Sequence, residues 1–582
     1  MQITSVNQVL NDVGLAPPCL RALVPNQENY TALLLQPQGE IEADSSGVRN
    51  ADRDLAVRQF SSFLHDAVAL KADLAVTPEY SMPWDVLEQA LCSGRTPSPG
   101  SLWVIGCESI TFDQLLELQQ RLSPAARLIC EELDCGTGRF VDPVAYVFTT
   151  SAINDATNSG LVVLVQFKTC QMGDSGHFEL NGLQVGTRLY CFGNALSQLR
   201  LATLICSDAF AFLDDHATRL YDRTLIIHIQ LNEKPRQEQY RSYRPKLLGF
   251  QGDATEILCL NWARHVHERQ GDSRKPWKNI AGSAWYLRPD KFDRSDKMLL
   301  DNHSRGLYYT WIPSLRCHGL FFNYLPASFF LTVTKVAHIG VTASLSRRRG
   351  PLLSMVRTWD EESSTWAECD SLDDGFSSIV SECGEAASRI AEIAQAHPIT
   401  VERILALSAG QVEDASWYTP DKLDSFRTGP TEVIQRITFC QDDAPEAVRF
   451  RAARLRRCAR LFKLLQAEGS LPPSLADMRQ GASFTWSDSR PHQNMMSAEG
   501  RLATIINLGE EATESQVECV SNKVAEFISR SFVTHDEVLA AHQRLHVWYR
   551  NDTGEIASHD FSRYVRYDEP RTESPFDITR DT

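Results

Sequence analysis

The sequence predicts an α/β layered domain followed by a mainly α-helical domain. Over about the first 345 residues, strand-like runs that are apolar on both faces alternate with helix-like stretches, as in layered α/β proteins. Near residue 346 the composition changes to Arg, Gly and Pro and then to Ser, Asp and Glu, which is typical of a linker. Beyond residue 375, apolar residues recur at helical spacing. We therefore predict domains at 1–345 and 376–582, joined by a linker at 346–375.

Composition limits the classes of function. A chain of 582 residues is too long for one core, and its net charge of -16 favours a soluble cytoplasmic protein. The fifteen cysteines are scattered without a CxxC pair, so neither a disulfide framework nor a zinc site is indicated, and a reducing compartment is expected. The N-terminus has no secretory pattern, and the most apolar later stretch, 319–345, is too polar to span a membrane. We expect no cofactor, no metal and no membrane association.

The first domain predicts strands and helices in alternation. A polar loop is expected at 37–49 and a long glycine-rich loop at 168–186, and loops of that length in a compact domain are usually functional. Strands are predicted at 31–36, 72–80, 102–107, 145–149, 161–167, 188–192, 199–205, 223–231, 254–262 and 306–312, and helices at 55–70, 86–92 and 112–122.

Three chemically active side chains follow predicted strands: Glu79, Lys168 and Cys206. Open α/β sheets place their sites at such strand ends. Each residue also has a structural interpretation, because free cysteine is usually a small core residue and lone Glu or Lys residues are usually solvated. Their chemistry nevertheless fits together as a cysteine nucleophile, a carboxylate that exchanges protons, and an ammonium that stabilises an oxyanion together with the Ser207 backbone N–H.

These residues lie in motifs that resemble those of the nitrilase, or carbon–nitrogen hydrolase, superfamily. Glu79 lies in AVTPEY, Lys168 precedes FELNGLQVG with Glu179 in the expected place, and Cys206 lies in LICSD. The resemblance covers about residues 28 to 315. Secondary matches support the register: LLLQ at Gln36, VIGCE at Glu108, residues 230–232, LNW at Asn261, and AGSAWYLRPD at Gly282 and Ser283.

The resemblance implies a four-layer αββα sandwich, often paired with a second copy, so a homodimer or higher homo-oligomer is expected. It implies Cys206 as nucleophile, Glu79 as general base and acid, Lys168 as oxyanion stabiliser, and Glu179 as a second carboxylate that orients the site. Tyr80, His228 and Asn232 are expected to contact substrate. The chain departs from the family at Ser207 and at IIHIQLN, where the family often has an aromatic residue and a proline-containing segment.

The clearest predicted helix of the second domain runs from about 444 to 468 and carries seven cations. Such a charged face is usually solvated, but an acidic protein or nucleic acid is an alternative partner. The residues predicted for that contact are Arg449, Arg456, Arg457 and Arg460.

Two functions from different classes follow. The first is a thiol-dependent hydrolase of carbon–nitrogen bonds other than peptide bonds, which acts on a small amide, ureide or nitrile through a thioester; in it, Lys168→Ala is expected to silence the enzyme without unfolding it. The second is a binding or assembly module of a multi-component bacterial complex, nucleic-acid associated or defence-related, that uses the C-terminal domain. Acyl transfer to an amine instead of water is a third possibility.

Overall fold

The computed structural model of the chain describes residues 1–561 apart from several gaps, and the chain divides into two compact units. The first unit comprises Met1–Asp373, Thr428–Val433 and Gln441–Ala444, and the second comprises Asp374–Arg427, Ile434–Cys440 and Pro445–Thr582. The residues not described are 25–26, 124, 134–137, 174–177, 194–198, 250–254, 272, 277–281, 289–291, 336–349, 382–386, 395–396, 424–431, 443, 468–470, 511 and 562–582.

The first unit is a mixed α/β structure, as predicted. Its strands are β1 (Gln2–Ser5), β2 (Asn29–Gln36), β3 (Gly39–Asp44), β4 (Gly47–Asn50), β5 (Leu74–Met82), β6 (Leu102–Cys107), β7 (Ile110–Thr111), β8 (Arg127–Cys130), β9 (Phe140–Val141), β10 (Pro143–Ala152), β11 (Asp155–Phe167), β12 (Arg188–Gly193), β13 (Arg200–Ile205), β14 (Thr224–Ile229), β15 (Glu256–Leu260), β16 (Val266–Gln270), β17 (Ser273–Pro276), β18 (Ala284–Leu287), β19 (Leu307–Ile312), β20 (Cys317–Phe322), β21 (Ala327–Thr334), β22 (Leu352–Asp360) and β23 (Thr365–Cys369). Its α-helices are α1 (Val6–Asp12), α2 (Arg53–Ala69), α3 (Trp84–Cys92), α4 (Phe112–Leu122), α5 (Phe178–Gly182), α6 (Asp214–Leu220), α7 (Glu238–Arg241), α8 (Tyr243–Leu248) and α9 (Asp296–Ser304).

Two large sheets form the centre of this unit. The strand order is β1-β12-β13-β14-β15-β18-β20-β19 in one and β23-β22-β21-β2-β5-β6-β10-β11-β8 in the other. They meet through Gln166, whose side chain donates to the Thr203 carbonyl (2.9 Å) and accepts from the Tyr190 N–H (2.8 Å). The Tyr146 and Phe192 rings also meet between them, with centroids 5.0 Å apart. Both sheets therefore contribute residues to one interior.

Helices α2, α3 and α4 cover the outer face of the nine-stranded sheet. Their apolar stripes, which include Phe60, Leu87 and Leu118, pack with sheet residues such as Trp103 and Val147 in one buried cluster. Burial of each large apolar side chain contributes about 1.5–3 kcal/mol, so this contact is a major part of the unit's stability. The alternating strand–helix pattern in the sequence predicted these elements correctly.

Residues 37–49, predicted as a polar loop, instead form strands. Strands β3 and β4 join β16 and β17 in a four-stranded sheet of order β17-β16-β3-β4. Ile41 and Val48 are buried against Tyr80 and Trp262, and Ala43 packs against the same cluster, whereas Glu42 and Asp44 are polar. The alternation is short and carries many acidic residues, so the polar composition concealed it.

The predicted linker also contains regular structure. Strands β22 and β23 extend the nine-stranded sheet, with β22 antiparallel to β21 and β23 antiparallel to β22. Trp366 is buried and its indole N–H donates to the Gln59 carbonyl on α2 (3.0 Å). The linker prediction is therefore wrong for 352–369, where hydrophobic residues dispersed among Ser, Asp and Glu pair with a sheet edge. Arg347, Arg348 and Arg349 lie outside the described residues.

The second unit is α/β and not simply helical. Its helices are α10 (Phe376–Ser381), α11 (Ala387–Ala394), α12 (Pro398–Ser408), α13 (Pro445–Gln466), α14 (Glu514–Ser531) and α15 (His535–Gln543). Its strands β24 (Ala482–Phe484), β25 (Met495–Ser497), β26 (Leu502–Asn507), β27 (Leu545–Arg550) and β28 (Ile556–Ser558) form a sheet in that order. The strands are only three to six residues long, so their periodicity was too brief to be recognised.

Helix α13 carries fewer available cations than its sequence suggests. Arg451 and Arg454 are buried, and Arg454 lies 3.6 Å from Glu402 on α12. Arg460 pairs with Glu510 at 2.5 Å. Of the residues predicted to contact a partner, Arg449 and Arg456 are exposed and Arg457 is half-buried. The predicted basic face is therefore reduced, because part of the charge serves packing inside the unit. Asp443, whose position before this helix and acidic side chain suit a cap, lies outside the described residues.

Within the described part of the chain, none of the helices has the length and apolar character needed to cross a bilayer.

The buried ion pair between Arg244 and Glu432 predicts how much a substitution there lowers the free energy of unfolding. Arg244 and Glu432 are both about 2% exposed, their charged atoms lie 2.6 Å apart, and the Tyr286 hydroxyl donates to the same carboxylate (3.1 Å). Glu432→Ala should lower the free energy of unfolding by about 3–5 kcal/mol, because it leaves a buried guanidinium without a counter-charge. Urea titration followed by intrinsic fluorescence measures this. The exposed Glu361→Ala serves as control, with a change within about 0.5 kcal/mol; equal effects of the two variants would contradict the prediction.

Candidate active site

Glu79 lies near the end of β5, where the backbone leaves regular strand geometry. The next residue, Tyr80, has a positive φ of 53°, and the ladder with β6 is interrupted between Thr77 and Met82. Gly106 on β6 allows the two backbones to approach, because a Cβ there would lie 2.0 Å from the Pro78 carbonyl oxygen. The Glu79 carboxylate is thereby held in the interior, where Oε2 accepts from the Leu231 N–H at 2.5 Å.

Lys168 follows β11 and is fully buried. Its Nζ donates to Glu79 Oε1 (2.8 Å) and Glu179 Oε1 (2.5 Å), and lies 3.4 Å from Asp142 Oδ2. Burial alone would lower the pKa of this ammonium, but Glu179 and Glu79 outweigh it and raise the pKa well above its ordinary value. Lys168 is therefore a fixed positive charge.

Glu179 joins the glycine-rich loop to this cluster. Its Oε1 also accepts from the Tyr80 hydroxyl (3.1 Å), and its Oε2 accepts from the Met172 N–H (2.6 Å). Glu179 therefore binds the ammonium, the tyrosine hydroxyl and the loop backbone at the same time. Both of its carboxylate oxygens are occupied by these hydrogen bonds. This geometry agrees with an orienting role for the residue.

Cys206 follows β13 at the first position of a 3₁₀ turn, Cys206–Ala211. Its φ of 41° is in the left-handed region, which is strained for a residue with a side chain and is often found at functional sites. The thiol is 1% exposed, and burial, followed by the charge and hydrogen bond of Glu79, raises its pKa well above the ordinary value. The thiol form therefore predominates near neutral pH, and a base is needed to make it nucleophilic.

His228 on β14 supports the strained turn from behind. One ring nitrogen, Nε2, lies 2.9 Å from the Cys206 carbonyl oxygen, and Nδ1 lies 2.9 Å from the Tyr243 hydroxyl on α8. Burial lowers the pKa of His228 to about 3, so the ring is neutral. A neutral ring that donates from Nε2 to the carbonyl accepts at Nδ1 from the tyrosine. His228 thus fixes the backbone at Cys206.

Asp208 connects this turn to the loop after Lys168. Its carboxylate accepts from the Ile205 N–H (3.0 Å) and from both the N–H and the hydroxyl of Thr169 (2.7 Å each). Burial raises its pKa to about 6, and the hydrogen bonds oppose that effect. The cysteine turn and the lysine loop are consequently held by one side chain.

Asp142, which precedes β10, adds a third carboxyl group around Lys168. It is 1% exposed, and burial followed by the charge of Glu79 raises its pKa well above the ordinary value. Glu79, Asp142 and Glu179 bring oxygens within 4.8 Å of one another, a spacing that suits a metal ion. The Lys168 ammonium lies 2.5–3.4 Å from an oxygen of each of them and fills that position.

A cavity of about 760 Å³ opens onto Glu79, Lys168 and Cys206. This volume is in the range of small-molecule binding sites and much exceeds what an amide of a few carbon atoms fills. Both apolar and polar residues line the cavity: Ile41, Ala43, Val48, Tyr80, Met172, Phe178, Leu231, Asn232 and Tyr240, together with the charged residues Asp44, Glu233, Lys234, Glu268 and Lys275.

The cavity contains most of the residues that the sequence predicted for the site. Tyr80 and Asn232 line it, as do Glu79, Lys168, Glu179 and Cys206. His228 is not among the described lining residues, because its ring faces the Cys206 backbone and α8. Its expected contact with substrate stays a prediction.

Ser207 is buried beside the nucleophile, and its hydroxyl donates to the Cys170 carbonyl at 2.6 Å. The role of its backbone N–H as an oxyanion donor stays a prediction.

Sequence reasoning missed Asp142, Tyr240 and the four-stranded sheet as parts of the site. Asp142 lies in FVDPV, and an acidic residue directly before a proline is typical of a turn. Tyr240 lies on the short helix α7, and its ring packs on Phe210 with centroids 4.8 Å apart. Neither position carries a spacing signal, so only the fold brings Asp142 to Lys168 and Tyr240 to the cavity.

Comparisons with known proteins return matches among solved structures only. No protein-family model matches the sequence, and a search of curated proteins returns no match. An amidase from Nesterenkonia sp. matches at 11% identity and a TM-score of 0.26, over 45% of this chain and 84% of that chain. Nit3 of Saccharomyces cerevisiae, a member of branch 10 of the nitrilase superfamily, matches at 11% identity and 0.26, over 46% and 83%.

A glutamine-dependent NAD+ synthetase from Acinetobacter baumannii matches at 11% identity and a TM-score of 0.26, over 69% of this chain and 59% of that chain. These solved structures come from the superfamily that the sequence motifs resemble, and most of them match less than half of the chain. TM-scores this low support no conclusion about the site. The description of the site therefore depends only on the distances within this chain.

The raised thiol pKa predicts how Cys206 reacts with an alkylating reagent. Since burial and Glu79 raise the pKa, the thiolate fraction grows as pH rises, and alkylation of Cys206 by iodoacetamide should accelerate from about pH 7 to about pH 9. Mass mapping of the Cys206 peptide gives the rates. A wild-type rate that does not change with pH over this interval would contradict the prediction.

Proposed function

We propose that this chain is a thiol-dependent carbon–nitrogen hydrolase that cleaves an amide, ureide or nitrile through a thioester on Cys206. The observation that carries this proposal is the convergence of a buried thiol, a buried carboxylate and a buried ammonium on one cavity. Such a set is costly to bury and provides a nucleophile, a proton acceptor and an oxyanion stabiliser.

For an amide, the first half of the reaction forms the thioester. Cys206 Sγ attacks the carbonyl carbon as the thiol proton passes to Glu79, and the carbonyl oxygen becomes an oxyanion stabilised by Lys168 Nζ. The tetrahedral intermediate collapses, the carbon–nitrogen bond breaks, and Glu79 returns its proton to the leaving nitrogen. Ammonia or an amine departs, and the acyl group remains on sulfur.

The second half releases the acyl group. Glu79 takes a proton from water, the hydroxide attacks the thioester carbon, and Lys168 again stabilises the oxyanion. The carbon–sulfur bond breaks, a carboxylic acid leaves, and the proton on Glu79 returns to Cys206. Glu179 keeps the ammonium and Tyr80 in place throughout, since it is hydrogen-bonded to both. Attack by an amine in place of water would give acyl transfer with the same residues.

The arrangement of the first unit supports the finer fold proposal of an αββα sandwich. Helices α2–α4 cover one sheet, the two sheets contact each other, and α8 contacts β14 of the second sheet through Tyr243 and His228. A second copy of the chain, as in a homodimer, stays a prediction, and so does the cytoplasmic location.

The binding-module alternative has weaker support. It depends on the cations of α13, of which Arg451 and Arg454 are buried and Arg460 is paired with Glu510. No observation among the described residues favours nucleic acid or an acidic protein over solvent at the remaining Arg449 and Arg456. The hydrolase is therefore the function that we propose.

Intact-mass analysis tests the nucleophile. The protein is exposed to a panel of amides, nitriles and carbamoyl compounds, and we expect a covalent adduct in the wild type that is absent from Cys206→Ala. The half-buried Cys170, whose N–H bonds to Asp208 near the same turn, provides the matched control: Cys170→Ala should keep the adduct. Full turnover of a confirmed substrate by Cys206→Ala would show that the mechanism is wrong.

Lys168→Ala should lower kcat by about 10²–10³, because an oxyanion donor is lost. The sequence alone suggested that this variant stays folded, but burial of three carboxyl groups around one ammonium changes that expectation: a stability loss of about 3–5 kcal/mol should accompany it. Turnover and thermal unfolding are measured together. Lys234→Ala, an exposed lysine at the same cavity, is the control and should leave stability unchanged. Full activity of Lys168→Ala would refute the oxyanion role.

A further inference from the structure

Asp142 takes no part in the proposed reaction, although its carboxyl group lies close to Lys168 and Glu79. Neither of its carboxyl oxygens accepts a hydrogen bond from any donor in the described residues, and the side chain is 1% exposed. Lys168 Nζ is 3.4 Å away but directs its shorter bonds, 2.8 and 2.5 Å, to Glu79 and Glu179. A buried carboxylate without a donor is costly, whereas a carboxylic acid can donate its own proton.

The charge of the cluster leads to the same conclusion. Three ionised carboxylates around one ammonium would leave a net charge of about two negative units in the interior, where desolvation strongly disfavours it. Glu179 accepts from Lys168, Tyr80 and the Met172 N–H, and Glu79 accepts from Lys168 and the Leu231 N–H. Both are thus stabilised as carboxylates. Asp142 is the member that lacks such donors.

We propose that Asp142 is a positioning residue that remains protonated in the folded protein and donates its proton in a hydrogen bond to the Glu79 carboxylate. This inference rests on the proposed function, because it concerns the base of that site. A neutral Asp142 keeps the negative charge on Glu79, which must accept the thiol proton. The donated bond also fixes the carboxylate in addition to the Lys168 and Leu231 bonds.

The ionisable groups that face Asp142 support this assignment. Glu79 and Glu179 oppose its ionisation, Lys168 favours it, and burial is the largest effect. The Tyr80 phenol and the Cys107 thiol also face it, and the pKa of each is raised, so both stay neutral near pH 7. The pKa of Asp142 is thus raised well above its ordinary value, so its proton is lost at a higher pH than the proton of an exposed aspartic acid. Its loss would add a second negative charge beside Glu79.

Two neutral substitutions test the proposal. Asp142→Asn keeps a donor of similar shape and should retain kcat/KM within about threefold, whereas Asp142→Leu removes the donor and should lose about 10–100-fold, the range expected for a lost orienting hydrogen bond in a buried site. A fall in the wild-type pH profile that is caused by loss of the Asp142 proton should be absent from Asp142→Asn, because no proton is left to lose at that position. A loss in Asp142→Asn as large as in Asp142→Leu would show that the carboxylate form is needed and would overturn the proposal.

Infrared spectroscopy gives a readout that does not depend on turnover. The folded wild type near neutral pH should show the C=O stretch of a protonated carboxylic acid that is absent from Asp142→Asn, with Glu361→Asp as an exposed control that leaves the band unchanged. Absence of that band in the wild type overturns the proposal whether or not a substrate is known. Presence of the band without any Cys206-dependent adduct would instead count against the proposed function while the protonation of Asp142 stands.

Discussion

The buried ammonium of Lys168 is the interaction on which the first unit's interior depends. It balances carboxyl groups from β5, from the segment before β10 and from α5, elements that are far apart in sequence. Each of these groups would be costly to bury alone, and their mutual arrangement offsets the cost. The same contacts hold Glu79, Lys168 and Glu179 together, the residues for which we propose the roles of base, oxyanion donor and orienting carboxylate. Stability and chemistry therefore share one set of bonds, and a substitution at this point affects both.

A second set of residues holds the backbone and leaves the reacting side chains free. Asp208 joins the cysteine turn to the loop after Lys168, and His228 fixes the Cys206 carbonyl. Asn261 fixes the backbone at Asn232 in a similar way. Its side chain accepts from the Asn232 N–H (3.1 Å) and donates to the Asn232 carbonyl (2.8 Å). Pre-organisation of this kind lowers the reorganisation needed when charge develops in a transition state.

Much of the first unit could be predicted from its sequence, and the reasons for the failures are physical. Strands that are buried on both faces leave long apolar runs, and Glu79, Lys168 and Cys206 follow such runs directly, so strand ends and motif residues could be found together. Strands β3, β4, β22 and β23 were missed because one face of each is solvated and polar composition hides a short alternation. The role of His228 could not be predicted, since a histidine in a buried strand gives no sign of which carbonyl it meets. Asp142 required the tertiary structure, because its significance comes entirely from the charges around it.

The four-stranded sheet has a consequence for what the cavity accepts. It is assembled from 39–50 and 266–276, supplies Ile41, Ala43 and Val48 to the wall, and contributes none of the three residues assigned to the chemistry. The contour of the cavity and the reactivity at its base are therefore encoded in separate stretches of the chain. Wall residues can therefore vary in size and polarity while Lys168 and its carboxyl partners stay unchanged. Proteins that share these buried residues need not bind the same ligand.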